Sequence, residues 1–112
     1  MSYLGSEKVV PNYNLMGVSK AALEACTRYL AYDLGRARGI RVNCIIPGAV
    51  RTPRQERLWH TPEAEAVILQ GQCLQTRVEP EDVAALALFL ASDNAAKCAG
   101  REYYVDAGWY GA

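Results

Sequence analysis

The chain has 112 residues, 51% of them hydrophobic and 21% charged, which suits one folded domain with a single core. Its 12 basic and 12 acidic side chains cancel, so no basic excess points to nucleic acid and no charge run marks a tail or a membrane patch. No apolar run approaches the roughly 20 residues that span a bilayer.

The start, Met1-Ser2-Tyr3-Leu4-Gly5, lacks the charged and apolar regions of a signal peptide. Cys26, Cys44, Cys73 and Cys98 form no CxxC pair, and His60 is the one histidine that could join them. They read as reduced, mostly buried thiols of a cytoplasmic protein with no metal.

Residues 3–11 read as a loop. A helical pattern follows from about residue 14 to 34, with Leu15, Val18, Ala22, Cys26, Tyr29 and Leu30 at spacings of three and four. Small residues on it (Gly17, Ser19, Ala21, Ala22, Ala25) permit close helix packing, and Gly35 is its expected stop. Residues 39–46 read as a strand that turns wholly apolar, as burial on both faces requires, and Pro47-Gly48 ends it.

Residues 51–60 are polar and punctuated by Pro53, the pattern of a mobile loop. Leu58 and Trp59 suit either a lid or a cover for the core, and His60 a solvated position. Thr61-Pro62 opens a helix to about residue 75, with Thr61 as cap and Pro62 at its first position. Glu79-Pro80-Glu81-Asp82 opens another, its acids at the positive dipole end and Val83, Leu86, Ala87, Leu90 and Ala91 facing inward. Ser92-Asp93-Asn94 ends it. A last strand spans residues 101–105, and Trp109 and Tyr110 after it suit a contact with a neighbouring subunit.

Strands alternating with helices imply α/β architecture with a parallel sheet. Two strands do not make a stable sheet alone. The expected fold is therefore the C-terminal half of a doubly wound Rossmann-type sheet, with three to four helices and two to three strands.

Four marks in order resemble the short-chain dehydrogenase/reductase family over nearly the whole chain. They are the helix carrying Tyr13 and Lys20, Arg41-Val42-Asn43 leading to Pro47-Gly48 and Thr52, Pro80-Glu81-Asp82-Val83-Ala84 through Phe89-Leu90-Ala91-Ser92-Asp93, and Val105-Asp106-Ala107-Gly108. Ser2-Tyr3-Leu4-Gly5 and the segment from Pro11 through Tyr13 and Lys20 to Ala21 resemble the active-site stretch of enoyl-acyl-carrier-protein reductases. Most of the family spaces its tyrosine and lysine as YxxxK. Here Met16 stands four before Lys20, and Tyr13 stands seven before it, the enoyl-reductase spacing. Seven helical residues turn about 700° and rise roughly 10 Å, so Tyr13 and Lys20 share a face.

The resemblance implies reduction of a trans-2-enoyl thioester, small or bound to acyl carrier protein, by NADH or NADPH in fatty acid biosynthesis. It makes Tyr13 the donor to the developing enolate and Lys20 the ribose holder, with Tyr3 lining the acyl pocket or helping deliver a proton. Pro47, Gly48, Val50 and Thr52 would pass the nicotinamide and pyrophosphate. It also implies a homo-oligomer paired through the first long helix in a four-helix bundle.

The second half, with Pro47-Gly48-Ala49, residues 61–74 and the ending Val105-Asp106-Ala107-Gly108-Trp109, resembles sugar 1-dehydrogenases of the same fold. The Gly-rich dinucleotide turn does not occur in the chain. Residues 1–112 thus read as a partial NAD(P)-binding domain, a fragment or truncated product expected to be inactive alone. A non-catalytic module that keeps only the helix-bundle face is the third reading.

Overall fold

The computed structural model describes residues 1–58 and 60–109. Trp59 and Tyr110, considered above as a lid and a subunit contact, lie outside them. In chain order come a 3-10 turn Leu4–Ser6, helix α1 Asn14–Arg38, strand β1 Cys44–Pro47, helices α2 Pro53–Leu58, α3 Pro62–Gln70 and α4 Pro80–Ala91, a 3-10 turn Asp93–Ala95, and strand β2 Glu102–Val105. The two strands pair in parallel, Cys44 opposite Glu102 through Pro47 opposite Val105. The crossover through α4 is the connection a parallel pair requires.

Helix α1 runs past the expected stop at Gly35. Arg36, Ala37 and Arg38 propagate a helix well, and both arginines suit its negative end. The stop is Gly39, at φ 67°, whose N–H donates to the Gly35 carbonyl while Ile40 N–H donates to Leu34. Strand β1 begins at Cys44 rather than residue 39. The Arg41 guanidinium is drawn to the end of α4, donating to the carbonyls of Leu90 at 2.7 Å and Ser92 at 3.3 Å. The Asn43 amide spans the turn into β2, donating to Cys98 O at 2.7 Å and accepting from Arg101 N at 3.3 Å. The Arg-Val-Asn mark thus closes a helix end and a turn.

The polar segment expected to be a loop contains α2. Pro53 is pre-set for a first helical turn, and the Thr52 hydroxyl accepts from Gln55 N at 3.3 Å. Helix α3 starts as the sequence indicates, with Thr61 Oγ1 accepting from Ala64 N at 3.2 Å, and ends five residues early at Gln70. Gly71 is its C-cap, and beyond it the Gln72 amide donates forward to the carbonyls of Leu74 and Thr76, each at 2.9 Å.

Among the described residues, Ile46 is fully buried, and Leu4, Cys44, Ala49, Ile68, Val78, Leu90 and Ala95 are the other buried apolar residues. The apolar stripe of α1 points the other way. Leu15, Val18, Tyr29 and Leu30 are exposed, and the buried residues are Gly17, Glu24 and Thr27. On α4 only Leu90 is buried, while Ala87 and Ala91 are exposed. The cysteines also depart from expectation: all four are free thiols, but Cys26 and Cys73 are exposed. The radius of gyration, 15.4 Å, exceeds the roughly 13 Å of a compact 100-residue domain. The outer face of α1 stands uncovered.

Candidate active site

Alternate residues of a strand turn their backbone groups to opposite edges, so Ile45 faces away from β2. Its carbonyl accepts from Ser2 N at 2.9 Å, which lays the first residues along that edge of β1. From there the 3-10 turn folds back against α1. The buried Glu24 carboxylate secures it by accepting from the hydroxyls of both Ser2 and Ser6.

This turn brings the two sequence-predicted tyrosines together. Tyr13 is the N-cap residue of α1, and its carbonyl closes the first turn by accepting from Gly17 N at 2.6 Å. Its ring meets Tyr3 edge to face, centroids 5.3 Å apart at 64°. Two glycines make room. A Cβ on Gly5 would stand 2.5 Å from Tyr13 Cδ1, and one on Gly17 would stand 2.7 Å from the Gly5 carbonyl oxygen. Burial, then the neighbouring Tyr13 phenol, raises the pKa of the Tyr3 hydroxyl above its ordinary value.

Tyr13, Gly17, Lys20 and Glu24 fall at i, i+4, i+7 and i+11, one face of the helix. Lys20 is half-buried there, and its ammonium donates to the Met1 carbonyl at 3.0 Å. An ammonium has three donors, so this bond leaves capacity for a ligand hydroxyl. Met16, which occupies the YxxxK tyrosine position, is exposed. Beyond the Tyr13 ring, residues 5–14 fold around an open cleft of about 750 Å³.

The segment 47–52 leaves β1 at its C-terminal end. Gly48 lies flush on the next strand's exit: a Cβ would meet Asp106 Cα at 2.8 Å, and its N–H donates to Val105 O at 2.8 Å. Val50 bridges to Val78, Arg51 N donates to Val78 O at 2.8 Å, and the buried Arg77 guanidinium reaches Ala49 O at 3.4 Å. Arg51 then pairs with Glu56, Glu65 and Glu79 at 3.7, 3.1 and 3.4 Å, tying the starts of α2, α3 and α4 to this turn. Thr52 is half-buried, with its hydroxyl already serving as the α2 cap.

Sequence reasoning missed Glu24, Arg77 and the place of Trp109. Trp109 makes contacts within its own chain: its ring lies 6.4 Å from Tyr3, and its indole touches Gly71. Gly71, a glycine at the end of an ordinary helix, was the available signal. Leu58 is exposed, which removes the core-cover reading for it. Among the described residues, no group of three or more His, Cys, Asp or Glu is placed to hold a metal ion. Among the same described residues, no helix is long and apolar enough to cross a membrane.

A parallel strand pair joined by crossover helices, preceded by a tyrosine-lysine helix, makes this part of a short-chain dehydrogenase/reductase, of Rossmann type. Within that class the chain belongs to the family described as enoyl-(acyl carrier protein) reductase, whose model matches residues 1–110. It is 53% identical to D-xylose 1-dehydrogenase of Caulobacter vibrioides, covering 96% of this chain and 41% of that one. It is 46% identical to enoyl-[acyl-carrier-protein] reductase [NADH] 2 of Rhizobium meliloti, covering 97% and 40%. Among solved structures, the Bacillus cereus enoyl-acyl carrier protein reductase with NADP+ and an indole naphthyridinone superposes with a TM-score of 0.84 at 43% identity, over 96% of this chain and 41% of that one. A 4-hydroxyisoleucine dehydrogenase complexed with NADH superposes with a TM-score of 0.91 at 29% identity, covering 97% and 44%. The chain thus spans about 40% of the length of the relatives it matches.

Proposed function

We propose that these residues form the catalytic half of a nicotinamide-dependent reductase of trans-2-enoyl thioesters, with NADH or NADPH as cofactor. The observation that carries this is the Tyr3–Tyr13 pair on the face shared with Lys20, together with a methionine at the position where a YxxxK enzyme needs its phenol.

A nicotinamide dinucleotide, held by Lys20 and the 47–52 turn, would supply the hydride for the β-carbon. Negative charge then develops on the thioester oxygen, and the Tyr13 hydroxyl is the donor aimed at it, a role worth about 10²–10³ in rate. Lys20 holds the ribose hydroxyls with its free donors and keeps the local potential positive. Tyr3, whose burial keeps it a neutral phenol, lines the acyl side. Pro47, Gly48 and the backbone near Val50 border the nicotinamide, where Gly48 and its close contact with Asp106 keep the turn thin. Thr52 serves the pyrophosphate with whatever bonding its cap leaves. The exposed stripe of Leu15, Val18, Tyr29 and Leu30 is the surface through which a second copy pairs, and on this reading the protein works in fatty acid biosynthesis in the cytoplasm.

A second reading, oxidation of an aldose at C1, is favoured by the 53% identity to the D-xylose enzyme. Met16 weighs against it. The test is turnover of a crotonyl thioester with NADH, and of D-xylose with NAD+, by the whole protein that carries these residues. Tyr13→Phe is expected to lower kcat on the crotonyl thioester about 10²–10³-fold. Oxidation of D-xylose with no enoyl reduction would refute the first reading.

A further inference from the structure

We propose that Trp109 is a specificity-determining residue: its indole is a fixed wall that restricts the site to compact substrates, here short-chain enoyl thioesters. The inference rests on the reading of Tyr13 and Tyr3 as the reacting end of the site.

Three aromatic rings stand in a row. Tyr13 contacts Tyr3 at 5.3 Å, and Tyr3 contacts Trp109 at 6.4 Å with planes tilted by 60°. The far side of the indole meets Gly71, directly after α3. Gly71 has φ −80° and ψ −5°, a backbone open to any residue. What excludes a side chain there is the indole, since a Cβ would lie 2.5 Å from Nε1 and 2.8 Å from Cδ1. Trp109 therefore fills the gap between Tyr3 and the end of α3, and the chain gives up a side chain at position 71 to let it do so.

The wall is also held from behind. Ala107 and Gly108 take left-handed backbone at φ 55° and 70°. The Ala107 carbonyl accepts from both Cys73 N and Leu74 N at 3.0 Å, and Asp106 Oδ1 accepts from Gly108 N at 2.9 Å. Gly108 lies against the Cys73 side chain, where a Cβ would stand 2.7 Å from Sγ. The turn that presents the indole is thus bonded to the segment after α3. An acyl chain running from the Tyr13 hydroxyl past Tyr3 toward α3 meets it.

The experiment compares the whole protein carrying these residues with its Trp109→Ala and Trp109→Phe variants. kcat/KM is measured on crotonyl and 2-dodecenoyl N-acetylcysteamine thioesters with NADH, and on D-xylose and maltose with NAD+. The unsubstituted protein is expected to favour the four-carbon thioester by about tenfold or more, the scale on which pocket shape discriminates. Trp109→Ala should close most of that gap by raising the twelve-carbon rate, and Trp109→Phe should retain most of it. Equal use of both thioesters, as when a long chain leaves by the open cleft beyond Tyr13, overturns the proposal. So does a Trp109→Ala variant that loses both activities in the same proportion. If D-xylose is oxidised and neither thioester is reduced, the enoyl-reductase reading fails. The wall is then judged on pentose against disaccharide, where Trp109→Ala must raise the disaccharide rate. Inertness toward all four substrates overturns both.

Discussion

Two glycines of α1 offer the same substitution with opposite expected outcomes. Glycine inside a helix costs about 1 kcal/mol relative to alanine, so Gly→Ala should stabilise wherever a methyl fits. At Gly35 it fits: the new Cβ meets only the Ile40 carbonyl oxygen, at 3.6 Å, an ordinary contact. At Gly17 the Cβ would stand 2.7 Å from the Gly5 carbonyl oxygen, a backbone atom that cannot rotate aside. Relief requires the 3-10 turn to retreat from α1 by about half an ångström. That strains the Glu24–Ser2–Ser6 bonds and parts Tyr3 from Tyr13. Overpacking of this kind costs about 1–3 kcal/mol, more than the propensity gain in most of that range. Gly17→Ala should therefore be neutral to destabilised by about 2 kcal/mol, and Gly35→Ala stabilised by about 0.4–1 kcal/mol. Equilibrium urea unfolding of the two variants beside the parent reads both signs from the midpoints. If Gly17→Ala proves as stable as Gly35→Ala, the close approach of the turn to α1 is not a feature of the folded protein.

Other perturbations test separate parts of the structure. Glu24→Ala removes the acceptor shared by two hydroxyls, one of them on the buried Ser2, and should cost about 1–3 kcal/mol in urea unfolding. Thr61→Ala leaves Ala64 N without its cap and should cost about 1 kcal/mol, measured the same way, with α2 and α4 unaffected by hydrogen exchange. The Tyr3 pKa is raised in the folded state, so its contribution to stability is complete below the ordinary phenol value. It is lost as pH climbs through the raised one. Spectrophotometric titration of the parent against Tyr3→Phe should show the missing phenolate to be one that ionises late; an early one would contradict the burial of that ring.

The sequence alone carried the alternation of helices and strands, because hydrophobic period and cap chemistry are local. Thr61-Pro62, Glu79-Pro80 and the run Cys44-Ile45-Ile46 need no distant partner to be recognised. It also carried the ordering of Tyr13 and Lys20 on one helical face, which follows from 3.6 residues per turn. Local pattern failed where a distant group decides. Strand β1 starts late because Arg41 and Asn43 answer to α4 and the turn before β2. The apolar stripe of α1 marks a face, but not whether that face turns toward the sheet or away. Only the tertiary structure set the small and polar residues Gly17, Glu24 and Thr27 inward. Glycine at 5, 17 and 71 reads as mere permissiveness in one dimension. In three it is the space taken by a carbonyl and two aromatic rings, contacts between residues far apart in the chain that no periodicity encodes.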